Sequence, residues 1–369
     1  MTLSVRKMLG TLAVLLLLAP RAAPAQEHDH AAMLAAETAN AAPRLELHGF
    51  FDVTSSYARI QRATGDSTAF GSSLGQFDLF MSTKLAEHVS FLGELVVEAE
   101  EGGGSAIELE RAYVRYSVSD RLRVTAGRTH SAVSYWYVTC HHGALLQPTI
   151  ERPVPVRFED EPGGGYLPAH TVGVELSGRE ALGDLTLDWV ANVANGRAAE
   201  RASVQTTRDL NRDKQVGASV SLSGSGALEW HAGGALFHDR VAQPVALPGE
   251  LDQDIASVHL VTRHAWLDET GEWFAVRNRD RVSGDEQTSH AWYAVATFGP
   301  ARWRPYVGVE GLRVPSADAF YAGMRDMDRG TVGLRFDVNA SNTIKFEYRN
   351  GLSAGERTHE LMVQTAFTF

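Results

Sequence analysis

The chain contains a single cysteine, Cys140, among its 369 residues. No intramolecular disulfide can form, so a disulfide-stapled fold and a cysteine-rich metal site are both excluded. After residue 25 there is no run of about 18 apolar residues, which excludes a transmembrane helix in the rest of the chain. The chain also has fewer basic than acidic residues, with 34 lysines and arginines and 45 aspartates and glutamates. Binding to nucleic acid requires basic surface, so no nucleic acid is expected as a partner.

The first 25 residues have the pattern of a secretory signal peptide. Arg6 and Lys7 precede a short apolar stretch, and Ala23-Pro24-Ala25 supplies the small residues of a cleavage site. The apolar stretch is too short for a membrane anchor. We therefore expect cleavage after residue 25, which removes three basic residues and takes the net charge from −11 to −14. The alanine-rich residues 26–43 then form a periplasmic N-terminal lead.

From residue 44 onward, apolar and polar side chains alternate with a period of two. In one segment, for example, Phe91 and Leu95 fall on one face while Glu94 and Glu98 fall on the other. This period is typical of β-strands, and segments of about ten residues are long enough to cross a membrane when tilted. Sixteen such strands can be placed, an even number, as expected of a bacterial barrel made from one chain. They are residues 44–57, 74–86, 89–100, 107–118, 121–129, 171–178, 184–194, 213–222, 226–239, 254–265, 272–282, 288–299, 302–313, 328–339, 343–351 and 358–369.

The connections between these strands alternate in length. Links after even-numbered strands are short, whereas most links after odd-numbered strands are long. Short periplasmic turns and long extracellular loops produce this alternation in outer-membrane barrels. The predicted fold is therefore all-β: a 16-stranded antiparallel transmembrane β-barrel over residues 44–369. The long links are residues 58–73, 130–170, 195–212, 240–251 and 315–327.

The last strand carries the sharpest local signal. Its apolar side is formed by Leu361, Val363, Thr365, Phe367 and Phe369 at every second position. In these positions and in its strand count the chain resembles Gram-negative outer-membrane porins, whose last strand ends in an aromatic residue. The resemblance implies that the barrel assembly machinery recognises this strand. It also implies insertion into outer-membrane lipid and assembly as a homotrimer.

The longest loop, about residues 129–170, lies between the fifth and sixth strands. In 16-stranded porins this third extracellular loop folds back into the lumen and narrows the pore, and Gly127-Arg128 looks like its usual start. We expect its carboxylates to face bases on the wall and to form the pore constriction. The alternative is that these charges are ordinary solvated loop surface. The predicted constriction comprises Glu151, Arg152, Arg157, Glu159, Asp160 and Glu161 in the loop, with Lys84, Arg111, Arg115 and Arg128 on the wall.

Metal binding and catalysis are not predicted. Cys140, His141 and His142 have side chains that bind zinc or copper. However, adjacent histidines seldom hold one ion without ligands from elsewhere, so they remain candidates only and no cofactor is expected. No H-E-x-x-H motif occurs, and the serine and histidine residues show no spacing typical of a catalytic triad. We therefore do not expect an enzyme.

The predicted function is passive diffusion of small hydrophilic solutes or ions through an outer-membrane porin. Phosphate-selective porins are the nearest specialised comparison, and they use arginine ladders and loop lysines. Here Arg277, Arg279 and Arg281 share one strand, but the third loop has no lysine and the chain is acidic. A mild cation preference is the simpler expectation. Two alternatives are a plugged barrel with a ligand-binding, metal-binding or structural role, and a soluble periplasmic β-rich metal-binding protein.

Overall fold

In the computed structural model, the described residues are 44–369 apart from 100–104, 141–142, 160, 162, 204–211, 243, 245 and 300–301. The predicted signal peptide and N-terminal lead, residues 1–43, lie outside this range. Among the described residues, no helix has the length and the apolar character needed to cross a bilayer.

Sixteen antiparallel strands form one closed barrel, in which each strand pairs with its neighbours in sequence and β1 pairs with β16. This confirms the predicted fold class. Two short helical segments, α1 (Tyr135–Thr139) and a 3₁₀ turn (Val154–Val156), lie between β5 and β6. The strands are β1 Glu46–Gln61, β2 Ser67–Ala86, β3 Val89–Ala99, β4 Ser105–Ser119, β5 Leu122–His130, β6 His170–Leu182, β7 Leu185–Ala194, β8 Gln215–Gly224, β9 Glu229–Val241, β10 Leu251–His264, β11 Leu267–Asp280, β12 Glu286–Phe298, β13 Trp303–Arg313, β14 Met327–Asn339, β15 Asn342–Ser353 and β16 Glu356–Thr368.

Side chains alternate between the two faces of the barrel wall. On β15, Lys345, Glu347 and Arg349 are buried, whereas Phe346 and Tyr348 between them are exposed. Successive side chains of a strand point to opposite faces. One face of the wall therefore carries buried polar side chains, and the other carries exposed apolar ones. We call these the inner face and the outer face. This is the arrangement of a barrel whose outer surface meets lipid.

The barrel closes through the last strand, as the sequence predicts. Leu361 lies opposite Tyr57 of β1, and the backbone N–H of Gly49 donates to the carbonyl of Phe369 at 3.0 Å. The ring of Phe369 stacks on Phe77 with 5.8 Å between centroids. Leu361 and Val363 are exposed on the outer face, while Met362 between them is buried.

The links at the two ends of the barrel differ in length. Those after even-numbered strands have two to four residues, and we call this end the turn end. Those at the other end, the loop end, include residues 131–169, 195–214 and 314–326. The first loop is much shorter than the predicted 58–73, because β1 and β2 stay paired as far as Ile60 and Ser67. The paired residues there are mostly polar or small on both faces. Apolar and polar side chains therefore do not alternate, and the sequence pattern does not reveal the strand.

Strand β4 contains a β-bulge at Glu110. Glu94 of β3 pairs with Arg111 and Leu95 pairs with Leu109, so the pairing register shifts by one residue at Glu110. Before the bulge the exposed residues have odd numbers, and after it they have even numbers until the strand ends at Ser119. A bulge inserts one residue and changes which face the following side chains occupy. The bulge explains why apolar and polar residues do not sort by face when residues 107–118 are taken as one regular strand.

Candidate functional site

Residues 131–169, which we call loop 3, contact the inner faces of strands far from β5 and β6. The first contact is at α1. Glu272 of β11 accepts hydrogen bonds from the Ser134 hydroxyl at 2.8 Å and from the backbone N–H groups of Tyr135 at 2.7 Å and Trp136 at 2.9 Å. Tyr293 of β12 also donates to this carboxylate at 2.6 Å. The first N–H groups of a helix have no partner within it, so a buried carboxylate can bind them.

Strands β14 and β15 hold the middle of loop 3 through basic side chains. Lys345 donates from Nζ to the carbonyls of Ala144 at 2.5 Å and Thr149 at 2.8 Å. Arg335 donates to the carbonyl of Leu145 at 2.8 Å. A buried cation requires such partners, because an unpaired charge in the interior is strongly destabilised. These contacts fix loop 3 on the side of the ring opposite its own strands.

Two wall carboxylates bind backbone amides of the same loop. Glu347 of β15 accepts from the N–H of Ile150 at 2.9 Å, and Glu310 of β13 accepts from the N–H of Val154 at 2.5 Å. Each carboxylate also binds an arginine of the wall: Arg349 for Glu347, and Arg329 at 2.6 Å for Glu310. The wall therefore presents paired charges to loop 3.

Glu151 extends one of these pairs into the loop. Its carboxylate binds Arg349 of the wall and Arg157 of loop 3. Burial raises the pKa of Glu151, but the charges of Arg349 and Arg157 outweigh burial and lower the pKa to about 2. Glu151 is therefore ionised throughout the physiological range.

This pKa gives a prediction for acidification. A carboxylate with a lowered pKa contributes stability above its ordinary pKa, here 4.5, and loses it as the pH falls toward 2. We expect the free energy of unfolding of the native protein to exceed that of Glu151→Gln at neutral pH. The difference should shrink only between about pH 4.5 and 2, as measured by urea unfolding in detergent at several pH values. A difference that has already vanished at pH 6 would contradict this assignment.

The other predicted loop charges pair mainly within loop 3. Arg152 binds Glu161, donates to the Gln76 side chain of β2 at 3.1 Å, and lies 3.7 Å from the ring centre of Phe158. Glu159 is buried and accepts from the backbone N–H of Ala169 at 2.9 Å. Asp160, the remaining predicted residue, lies outside the described residues.

An aromatic cluster fills the space between loop 3 and β9 to β13. Trp136, Tyr137 and Tyr166 are fully buried, and Trp136 packs edge-on against Tyr293 with 5.5 Å between ring centroids. Tyr321, from the loop 314–326, stacks on Tyr166 and donates to its carbonyl at 2.6 Å. The strands contribute apolar inner-face residues: Ala235, Phe237, Val241, Leu251, Ile255, Phe274, Val276, Ala291, Tyr293, Val295 and Leu312.

Trp136 has the largest fully buried side chain of loop 3. We expect Trp136→Ala to weaken docking of the loop by about 3–5 kcal/mol, the usual cost of removing a buried tryptophan. Because about 1.4 kcal/mol corresponds to a factor of ten, protease cleavage within the loop should become at least about a hundredfold faster. Val138→Ala is the matched control, since Val138 is in the same helix but 55% exposed. Equal cleavage rates in the two variants would disprove the anchor role.

Three of the predicted wall bases contact residues of their neighbouring strands. Arg111 binds Glu94 of the neighbouring strand at 2.7 Å, and Arg115 donates to Thr125 at 3.1 Å. Arg128 donates to the carbonyl of Glu110 at 3.0 Å, and Lys84 is exposed near the turn end. Cross-strand neighbours on one face of a sheet lie within contact distance of each other, which explains why these arginines bind residues of the adjacent strands. Arg335, Lys345 and Arg349 alternate with apolar residues in the sequence, which indicates a polar strand face but not a contact with loop 3.

Two further sequence features lie within the described residues. Arg277 and Arg281 are exposed and pair with Asp254 and Asp252, so they do not form a ladder on the inner face. Cys140 is a free thiol that accepts from Thr139, and burial raises its pKa. His141 and His142 lie outside the described residues, so the metal hypothesis for this segment stays a prediction.

Residues 71–75 match the letters of the G-x-S-x-G nucleophile motif, with Ser73 at its centre. That motif works at a sharp strand-to-helix turn, where the serine is exposed on a strained backbone. Here the five residues lie within β2, and Ser73 pairs in register with Thr54 of β1. The five residues therefore do not form the strand-to-helix turn that this motif requires.

The fold is shared with solved structures of outer-membrane proteins. The anion-selective porin from Comamonas acidovorans superposes with a TM-score of 0.62 at 14% identity, over 89% of this chain and all of that one. The channel DcaP of Acinetobacter baumannii gives 0.58 at 12% identity, over 89% and 98% of the two chains. The trimer form of in-vitro folded OmpT from Vibrio cholerae gives 0.56 at 10% identity, over 89% and 100%. No protein-family model and no curated protein matches this sequence. The resemblance to 16-stranded porins is confirmed at the level of the fold.

Proposed function

We propose that this protein is an outer-membrane porin through which small hydrophilic solutes and ions diffuse. The observation that carries this proposal is the attachment of loop 3 to the inner faces of β11, β13 and β15. A chain segment that joins β5 to β6 and binds the far wall crosses the space inside the ring. Loop 3 then sets the width of the passage, while the charged inner face sets its field.

The pore constriction is formed by charges of loop 3 and of the wall beside it. In the loop, Glu151 and Arg157 form a charge pair that meets Arg349 of β15. Arg152, Glu159, Asp160 and Glu161 complete the loop contribution. On the opposite wall, Arg111, Arg115 and Arg128 belong to β4 and β5, and Lys84 stands closer to the turn end. Opposed charges across a narrow opening create a transverse field that discriminates among solutes.

A mild cation preference follows from the balance of these charges. The arginines that meet loop 3 are each paired with a carboxylate, as Arg329 is with Glu310 and Arg335 is with Asp337 at 2.7 Å. Pairing cancels most of their positive field, which leaves the acidic excess of the mature chain to act on mobile ions.

The outer membrane is the expected location, after removal of residues 1–25. The outer face exposes large apolar side chains such as Val309, Val332 and Phe346. A belt of this kind in water would be an aggregation hazard, which disfavours a soluble periplasmic protein. A homotrimer is supported by the trimer form of a structurally similar outer-membrane protein, OmpT. Recognition of the strand from Leu361 to Phe369 by the barrel assembly machinery completes this proposal.

The test is electrical. The mature protein is refolded in detergent, checked for a heat-dependent shift in gel mobility, and inserted into a planar bilayer. We expect stepwise single-channel currents and a reversal potential in a salt gradient whose sign indicates cation preference. The opposite sign would overturn the cation preference alone, whereas absence of current from a folded barrel would overturn the porin.

One observation favours a second candidate, a barrel closed by loop 3. Trp136, Tyr137, Tyr166 and Leu167 are fully buried, and the loop also reaches β16, where Gln364 donates to the carbonyl of Ile150 at 3.4 Å. A plug of this kind would suit a ligand-binding or structural role. Zero conductance in the native protein, together with open currents after loop 3 is removed, would identify it.

A further inference from the structure

Three potential metal ligands meet on neighbouring strands at the base of loop 3. His130 is the last residue of β5 and His170 is the first residue of β6, and the two lie directly opposite each other in the pairing register. Their rings are 5.4 Å apart between centroids. Glu110 of β4 completes the group, and its carboxylate forms an ion pair with Nε2 of His170. One residue from each of three consecutive strands therefore converges on one point.

The bulge in β4 is what brings Glu110 to this point. In a regular strand with Glu110 on the inner face, Arg111, Tyr113 and Arg115 would all point outward to lipid, because successive side chains alternate between the two faces. The inserted residue changes the parity, so the outer face is apolar on both sides of the bulge. Bulges are frequent beside functional sites because they redirect a side chain in this way.

The group is deeply buried, which separates it from ordinary surface acids and histidines. The side chains of Glu110 and His170 are each 3% exposed, and His130 is 7% exposed. One ligand atom from each residue can be chosen so that all three lie within 4.8 Å of one another. Ligands on a tetrahedral zinc ion lie about 3.3 Å apart, given bond lengths of about 2.0–2.1 Å. To bind one ion, the ligand atoms need to approach one another by no more than about 1.5 Å.

We propose that Glu110, His130 and His170 bind a divalent transition-metal ion of the zinc class. Two imidazole nitrogens and one carboxylate oxygen are a donor set that zinc uses in proteins, with a fourth position left for another ligand. The proposal needs only the geometry of the barrel and does not depend on whether the lumen conducts.

Glu159 of loop 3 is the candidate for the fourth position. It is buried, and its Oε1 accepts from the N–H of Ala169, the residue that precedes His170. Its Oε2 is buried and has no hydrogen-bond partner among the described residues. Burial raises the pKa of Glu159, and the nearby His170 is the strongest influence that opposes this. A cation at the site would satisfy this carboxylate and tie loop 3 to β4, β5 and β6.

The charges around the site are compatible with a cation. Arg128 donates from Nε to the carbonyl of Glu110, and both Arg128 and Arg152 act on the Glu110 carboxylate. These guanidinium groups oppose a cation, whereas Glu110 and Glu159 favour one. Histidine binds a metal ion in its neutral form, and glutamate binds as the carboxylate.

The experiment titrates ZnCl₂ into the refolded full-length mature barrel after treatment with EDTA, using isothermal titration calorimetry. We expect one equivalent of zinc to bind to each folded barrel. Glu110→Gln, His130→Asn and His170→Asn should each weaken binding by at least about tenfold, the loss seen even when only a supporting group of a metal site is removed. Co²⁺ in place of zinc should give the visible absorption of a tetrahedral site.

Two control variants make the result specific. His290→Asn removes an exposed histidine of β12 and should leave zinc binding unchanged. Cys140→Ser removes the thiol of the segment Cys140-His141-His142 and should also leave it unchanged. Binding that is lost in Cys140→Ser but kept in His170→Asn would overturn the proposal and assign the metal to that segment. Absence of zinc binding by the folded native protein would overturn it as well, and the gel-mobility shift shows that each variant is folded.

Discussion

We expect replacement of residues 132–168 by an Asn-Gly turn to raise the single-channel conductance several-fold and to leave a folded 16-stranded barrel. The conductance rises because loop 3 is the segment that reaches across to Glu272, Glu310 and Glu347 on the far wall. Without it, the inner-face residues that loop 3 covers are exposed to water. Single-channel recording in planar bilayers measures the effect, and the closed-barrel alternative predicts that the increase starts from zero.

The design of this variant follows from the pairing of β5 with β6. The N–H of Ser131 donates to the carbonyl of Ala169 at 2.8 Å, so the hairpin is already closed at these two residues. A two-residue Asn-Gly turn fits the twist of such a hairpin. The control replaces the exposed link 281–285 by the same turn, which shortens the loop end without touching loop 3. Equal conductance in the trimmed and native proteins would show that loop 3 does not restrict the passage.

If the trimmed barrel fails to refold, a gentler pair of substitutions tests the same point. Removal of loop 3 uncovers apolar inner-face residues such as Phe237 and Phe274, which lowers stability. Lys345→Ala with Arg335→Ala instead releases the loop carbonyls of Ala144 and Leu145 from the wall. This double variant should show larger or noisier currents than the native protein. Native-like currents would again argue against a constriction by loop 3.

Strand number, order and closure could be predicted from the sequence because each follows from a repeated local rule. Alternation marks the face of every strand, and the alternation of link lengths marks the two ends of the barrel. All sixteen predicted strands overlap observed ones, and loop 3 differs from the predicted 129–170 by two residues at its start and one at its end. The errors lie where the local rule breaks, at the bulge of Glu110 and in the polar extensions of β1 and β2.

The partners of loop 3 could not be predicted in the same way. The sequence indicates that Arg349 lies on an inner face and that Glu151 lies in the loop, but nearly 200 positions separate them. Which wall strand a loop meets depends on its path through the barrel, and that path is set by packing of Trp136, Tyr137 and Tyr166. By residue type, Arg111 and Arg115 were equally reasonable partners for Glu151. In the structure they instead contact Glu94 and Thr125 of their neighbouring strands.

Arg349→Ala should be the most destabilising single substitution on the wall. Arg349 is almost fully buried between Glu347, which is also buried, and Glu151 of loop 3. Removing one partner of a buried ion pair costs about 3–5 kcal/mol, because the remaining charge is left without compensation. We expect the free energy of unfolding in urea, followed by tryptophan fluorescence in detergent, to fall by that amount.

Two further variants separate this cause from a simple loss of side-chain volume. Arg313→Ala breaks a pair with Asp328 that is 46% and 57% exposed, and it should cost no more than about 1 kcal/mol. Glu347→Gln introduced into the Arg349→Ala protein should recover part of the lost stability, because it neutralises the carboxylate that the first change left uncompensated. Additive losses in the double variant would mean that Glu347 and Arg349 contribute independently. In that case the wall would hold loop 3 through hydrogen bonds to Ile150 and Val154 rather than through the charge pair.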